Sequence, residues 1–195
     1  FADNINWTTE QNDTRINATR LFLMNSTIIA TATGSRLTII YSTAFEDTGS
    51  NYSSGSRISL QNRSVSQIAW SAFSSGVFNL SANTRLSQNL IFANSSAMPG
   101  LNVSANLTLF NLSFASPRPI VDYSDNGTFV PCNSPRCREI SYNSTTGIYV
   151  FNISSFTIYS SMENSSVNVT IISPANGTTS GQNNVTFSIN ASSGS

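Results

Sequence analysis

The residues of this chain best equipped for chemistry are its asparagines. Of 24 Asn, 19 stand two positions before a Ser or Thr with no Pro between. That spacing is the acceptor pattern for an N-linked glycan, which bonds to the side-chain amide nitrogen on a secreted surface. Ser and Thr fill 56 of 195 positions, so chance would place only about seven such sequons among 24 Asn. The excess makes dense N-glycosylation the leading reading, ahead of a surface merely rich in Ser, Thr and Asn. The acceptors are Asn6, Asn12, Asn17, Asn25, Asn51, Asn62, Asn79, Asn94, Asn102, Asn106, Asn111, Asn126, Asn143, Asn152, Asn164, Asn168, Asn176, Asn184 and Asn190.

Other chemistries lack their parts. There is no His and no Lys, so a Ser or Cys nucleophile has no ordinary base. Zinc would want more ligands than two Cys, and a phosphate-cradling loop would want Lys beside its Gly. A carboxylate pair could hydrolyse glycosides, but Glu46 and Asp47 are adjacent and would face opposite sides of a strand. A solvated turn before Gly49 is expected there. In "DYSDNG" (122–127), Asp122, Ser124 and Asn126 mimic the start of an EF-hand loop. The twelfth position is Asn133 and no helix flanks it, so a plain Asn-Gly turn is preferred over a weak calcium site of Asp122 and Asp125. The chain is thus expected not to be an enzyme, with no catalytic residue, metal or cofactor beyond covalent glycans. Cys132 and Cys137, in "PCNSPRC", are expected to close a local disulfide and to imply an oxidising compartment; two free thiols are the alternative.

Strands must carry these asparagines. In "LNVSANLTLFNLSF" (101–114), Leu101, Val103, Ala105, Leu107 and Leu109 alternate with polar residues, so Asn102 and Asn106 share the wet face. The phase slips at Phe110, where a bulge would keep Asn111 outward. Similar alternations recur along the chain, including 85–93 and 147–153, with Gly, Ser, Asn and Pro between them. They predict an all-β sandwich or barrel without a substantial helix. "FNLS" at 78–81 and 110–113 and "FNIS" at 151–154 place Phe78, Leu80, Phe110, Leu112, Phe151 and Ile153 in the core. Their spacings, 32 and 41, are unequal, so the motif reads as a recurring strand solution and not as a solenoid repeat.

The last thirty residues hold two strand patterns, Val167–Ile172 and Val185–Ile189, around a Pro/Asn/Gly turn. Two strands do not make a domain, and three placements are open: within the sandwich, as the start of a further module, or in a neighbour's sheet. "GIYVFNISSFTIYSS" followed by "VNVTIISPANGTTSGQNNVTFSIN" resembles the tandem immunoglobulin-like modules of archaeal cell-surface glycoproteins. The resemblance covers about the last 50 residues and implies immunoglobulin-like β-sandwich modules, a secreted surface or filament protein, and no catalytic residues. The division expected is a sandwich over 1–117, a second β portion with the disulfide loop over 118–163, and a C-terminal strand segment over 164–195. The function expected is a structural subunit of a glycosylated filament or surface coat, whose partners are copies of itself. Residues 1–9 or 165–190 would add a strand to a neighbour, with Val167, Val169, Ile171, Val185, Phe187 and Ile189 as its apolar teeth. The alternative is an adhesin or receptor module, in which Trp7 or Tyr52 could contact glycans, though burial is the commoner fate of such residues.

Composition bounds these readings. Nine Arg balance nine carboxylates, and only 9% of residues are charged, so no basic field for nucleic acid or acidic lipid exists. No apolar run approaches the ~18–20 residues of a membrane span, and "LFLM" (21–24) is among the longest. The start at Phe1, without Met or an apolar leader, leads us to expect a processed, extracellular chain. Acid denaturation acts through native carboxylates and buried His, and here that lever is short. Melting temperature should therefore change little between neutral and strongly acidic water, and a collapse near pH 4 would contradict this.

Overall fold

The computed structural model describes residues 2–3, 6–9, 13–17, 20–24, 27–30, 36–42, 44–48, 50–52, 57–72, 76–164, 167–173 and 188–193, some strands by backbone alone. The protein is all-β. Among the described residues the longest helix, α1 (Leu80–Asn83), is a single turn.

Residues 2–62 wind three times, with three strands to each turn. The first turn holds β1 (Ala2–Asp3), β2 (Asn6–Thr9) and β3 (Asp13–Asn17). The second holds β4 (Arg20–Met24), β5 (Thr27–Ala30) and β6 (Arg36–Tyr41), and the third β7 (Ala44–Thr48), β8 (Ser50–Tyr52) and β9 (Arg57–Asn62). Every strand pairs in parallel with its counterpart one turn later, as β1-β4-β7, β2-β5-β8 and β3-β6-β9. Asn6 lies beside Thr27 and Thr27 beside Asn51, so one turn takes 21 to 24 residues. The three copies of the FNLS motif lie outside this winding, whose repeat is not among the expectations from the sequence. Its mark is not the FNLS motif but Arg36-Leu37-Thr38-Ile39, which recurs 21 residues later, side by side with it, as Arg57-Ile58-Ser59-Leu60.

At β9 the pairing changes from parallel to antiparallel. The chain turns at 63–65 and returns as β10 (Ser66–Trp70), antiparallel to β9. β11 (Gly76–Phe78) adds to β8 and leads into α1. Then follow β12 (Thr84–Ser87), β13 (Leu90–Ala93), a 3-10 turn at Pro99–Leu101, β14 (Ala105–Leu109), β15 (Pro117–Asp122), β16 (Val130–Pro131), β17 (Cys137–Asn143), β18 (Ile148–Ile153) and β19 (Ile158–Glu163). Two sheets result, ordered β17-β18-β14-β10-β9-β6-β3 and β12-β13-β19-β15-β16. They meet through aromatic pairs: Phe151 on β18 with Tyr159 on β19 at 6.4 Å between ring centroids, and Trp70 on β10 with Phe156 at 5.7 Å. This is the sandwich that the strand pattern led us to expect. β20 (Val167–Ser173) and β21 (Ser188–Ser193) form a separate two-stranded antiparallel sheet.

One lateral row organises the long sheet. Ile16, Ile39, Leu60, Ile68, Leu107 and Phe151 are successive cross-strand neighbours from β3 to β18. The last five are 0% exposed, and each such side chain contributes about 1.5–3 kcal/mol by leaving water. The adjacent row, Arg15, Thr38, Ser59, Ala69, Asn106, Asn152 and Arg138, points to the other face by strand alternation.

Several local expectations change. The strand expected over 101–114 spans only Ala105–Leu109. The phase slip at Phe110 is absorbed not by a bulge but by leaving the sheet: Asn111 takes φ +55°, a left-handed conformation that Asn tolerates. Leu112 then donates its N–H to the Gly147 carbonyl at 2.9 Å. The single strand expected at 85–93 is a hairpin, turning at Gln88–Asn89 with Asn89 at φ +49°. Of the FNLS apolar residues, Phe78, Leu80, Leu112, Phe151 and Ile153 are buried and Phe110 half-buried. Gly147 sits at φ +64°, and a Cβ there would lie 2.5 Å from the Leu112 carbonyl oxygen. Leu107→Ala should cost about 2–5 kcal/mol, and Gly147→Ala about 1–3 kcal/mol from its backbone strain alone. Urea midpoints measure both, and a Gly147→Ala protein as stable as the parent would contradict the close approach.

Candidate functional site: the sequon surface and the disulfide-loop cleft

Eleven sequon asparagines have described side chains, and none of these is buried. Asn51, Asn102, Asn106, Asn111, Asn126, Asn143 and Asn164 are exposed, while Asn62, Asn79, Asn94 and Asn152 are half-buried. Asn6, Asn17, Asn168 and Asn190 are described by backbone alone, in β2, β3, β20 and β21. Asn12, Asn25, Asn176 and Asn184 lie outside the described residues. Of the assembly residues, Val167, Val169 and Ile171 fall on β20, and Ile189 on β21 is the cross-strand partner of Ile171. Val185 and Phe187 lie outside the described residues. Within residues 1–9, β1 and β2 already pair in the chain, with β4 and β5.

Many of these asparagines are held by the carbonyl end of the amide. Asn79 caps α1, its Oδ1 accepting from the Ala82 N–H at 3.0 Å. Asn94 Oδ1 accepts from Ala97 N–H at 3.1 Å, Asn102 Oδ1 from Phe156 N–H at 2.8 Å, and Asn126 Oδ1 from Thr128 N–H at 2.9 Å. Asn143 Oδ1 accepts from both Thr145 and Thr146 N–H groups. None of these bonds uses the nitrogen that would carry a sugar, so anchoring and modification are compatible. Asn111 differs, because its Nδ2 donates to the Ser64 carbonyl at 2.8 Å.

Cys132 and Cys137 are disulfide-bonded and buried. The loop they close presents Arg136, whose Nε donates to the Tyr159 hydroxyl at 2.9 Å. The same guanidinium lies 4.8 Å from the ring centroid of Tyr123, a contact worth about 0.5–1 kcal/mol at an exposed position. Burial pushes the pKa of the Tyr159 hydroxyl up, and Arg136 pulls against that shift. Tyr123 and Arg136 line a cleft of about 420 Å³ together with Asn94, Ser95, Asp125 and Phe156. Tyr123 is 57% exposed, so an aromatic ring faces the solvent there. Neither Tyr123 nor Arg136 is expected from the sequence as a contact residue. Their signal lay in motifs already quoted, the Arg inside "PCNSPRC" and the Tyr inside "DYSDNG", but the cleft joins segments far apart in the chain. Tyr52, offered as a glycan contact, is 1% exposed, and nothing of the Trp7 side chain is described.

Two aspartates behave oppositely. The Asp122 carboxylate accepts from Ser124 N–H at 3.0 Å and Gly127 N–H at 2.6 Å. It therefore anchors the turn that Asp125 at φ +54° and Gly127 at φ +84° complete. Burial raises its pKa, but the amides of Ser124, Gly127, Asn126 and Asp125 outweigh that and hold it below the usual range. A carboxylate turned onto amides is set as a loop anchor rather than as a calcium ligand. Among the described residues no three His, Cys, Asp or Glu come together as a metal site would need.

Asp47 was expected in a solvated turn and is instead fully buried, while Glu46 is exposed, on opposite faces as adjacency demands. The Tyr52 hydroxyl donates to Asp47 Oδ2 at 2.6 Å, and the Leu80 N–H approaches the same oxygen at 3.4 Å. Ser81 Oγ accepts from Asp47 N–H and donates to its carbonyl. This cluster fastens α1 to β7. Burial pushes the Asp47 carboxyl up, with Ser50, Tyr52 and Leu80 hydrogen bonds pulling it back.

Compared with protein-family models, curated proteins and solved structures, the chain matches none. Among the described residues no helix is long and apolar enough to cross a membrane.

The two aspartates carry opposite pH signs. A raised folded pKa at Asp47 gives stability present below the unfolded value near 3.9 and lost as pH rises through the folded one. A lowered folded pKa at Asp122 gives stability present above that value and lost as pH falls. Relative to the parent, Asp47→Asn should therefore gain in melting temperature as pH rises from 3 to 7, and Asp122→Asn should lose. Parallel curves for the two variants would contradict these environments.

Proposed function

We propose that the chain is a structural subunit of an extracellular, heavily N-glycosylated filament or surface coat, assembled by β-strand addition between copies. The observation that carries this reading is the C-terminal strand pair. β20 and β21 form a sheet of their own, apart from the four larger sheets in strand pairing, and a two-stranded sheet is marginal alone in water. The long sheet ends in β17, where Arg138, Glu139, Ile140 and Ser141 are all exposed. Edge and strand pair offer each other main-chain hydrogen bonds, and pairing would cover an edge otherwise open to aggregation. The disulfide supports an oxidising setting. The sequon surface supports a coat of sugar in place of the missing charge.

The cleft favours a second reading, an adhesin or receptor-type module of a larger surface glycoprotein, with Tyr123, Arg136 and Asp125 at the ligand contact. Electron microscopy of native material separates the two, since helical order supports the first and scattered monomers the second. Deleting residues 164–195 should abolish polymerisation, and polymers that still form normally would overturn C-terminal strand addition.

A further inference from the structure

The sequons at Asn106 and Asn152 face each other directly across β14 and β18, as Cα partners in the antiparallel ladder. Side chains in that relation stand about 4.5–5.5 Å apart at Cβ. Asn152 Nδ2 donates to Asn106 Oδ1 at 2.9 Å, and lies 3.1 Å from the Ala105 carbonyl and 3.2 Å from Ser104 Oγ. A backbone carbonyl can only accept, so the chain itself fixes which end of the Asn152 amide is the nitrogen. It follows that the Asn106 atom facing it is the oxygen, which turns Asn106 Nδ2 away. Asn106 is exposed and Asn152 half-buried.

We infer that these two sequons form one acceptor unit, in which Asn106 carries the glycan and Asn152 stays unmodified as the positioning residue that holds it. The inference rests on the glycoprotein reading above. Glycosylation forms a bond from the sugar's anomeric carbon to the amide nitrogen, with loss of one N–H. At Asn152 a single N–H would remain where three acceptors surround the nitrogen, and the first sugar would enter the space those acceptors occupy. At Asn106 the nitrogen is the outward end, and Oδ1 remains an acceptor after modification. The Asn152 bond to Asn106 therefore survives beneath the glycan and orients it. Two glycans on directly paired residues would also have to share one small patch of sheet.

The test uses the full chain made in its native host. Thr108→Ala removes the Asn106 sequon, and Ser154→Ala removes the Asn152 sequon while leaving the Asn152 amide in place. Intact-mass and glycopeptide measurements should show one glycan lost in Thr108→Ala. Ser154→Ala should lose none and keep its melting temperature, because Asn152 should be at least about tenfold less occupied than Asn106. A glycan on Asn152 in the folded parent, or an unmodified Asn106, overturns the inference even when other sequons are occupied. A parent carrying no glycan at any sequon overturns it together with the glycoprotein reading, so the two failures are distinguishable.

Discussion

The structure depends on one row of apolar side chains laid abreast across the long sheet. Ile39, Leu60, Ile68, Leu107 and Phe151 are all excluded from solvent and all neighbours in register. Because strand side chains alternate with a period of two, a slip of one residue in any of these strands would turn its whole inner set outward. The same slip would bring Asn106 or Asn152 into the core, where an unpaired amide costs several kcal/mol. Core and sequon surface are thus one constraint seen from two sides. What places Leu107 inside places Asn106 outside.

β9 transmits that constraint between two architectures. On one side it pairs in parallel with β6, and on the other it pairs antiparallel with β10. Ile58 and Leu60 must therefore fit both the wound turns and the sandwich, and both are buried. A second tie runs through Asp47. Its carboxylate meets Tyr52 of the coil and the start of α1, which leads into the sandwich strands. In a chain with 9% charged residues, burying one carboxylate is costly, and the hydroxyl and amide donors at Oδ2 offset only part of that cost. Desolvation raises the pKa of this carboxyl, whereas backbone amides lower that of Asp122, so the two aspartates act on stability with opposite pH signs.

Alternation made the all-β class and the outward Asn106 legible in the sequence, because parity is local. Pairing partners are not local, so the parallel turns of residues 2–62 were missed although Arg36-Leu37-Thr38-Ile39 and Arg57-Ile58-Ser59-Leu60 carry their repeat. The same limit hid Asp47, whose burial is decided by Tyr52 and Leu80, and the cleft, whose walls come from Asn94, Tyr123 and Arg136. The phase slip at Phe110 was readable but its resolution was not. A bulge and a left-handed Asn111 leave the same trace in the pattern, and the contact of Leu112 with Gly147 selects the second.

If the outer face of β14 and β18 carries sugar, that face is closed to packing against another sheet, since a hydrated glycan cannot be buried without losing its contacts with water. Asn102 and Asn111 extend the closed region beyond the ends of β14, and Asn143 does so at the end of β17. The inner face is already occupied by the second sheet. Contact between copies is then left to strand edges, which are narrow and lie in the plane of the sheet. An edge can be joined by adding a strand without disturbing either face. On the proposed reading, dense glycosylation and strand addition would therefore be complementary demands. Sugar would remove the broad surfaces from use and leave the edges, with the separate pair β20 and β21, for assembly.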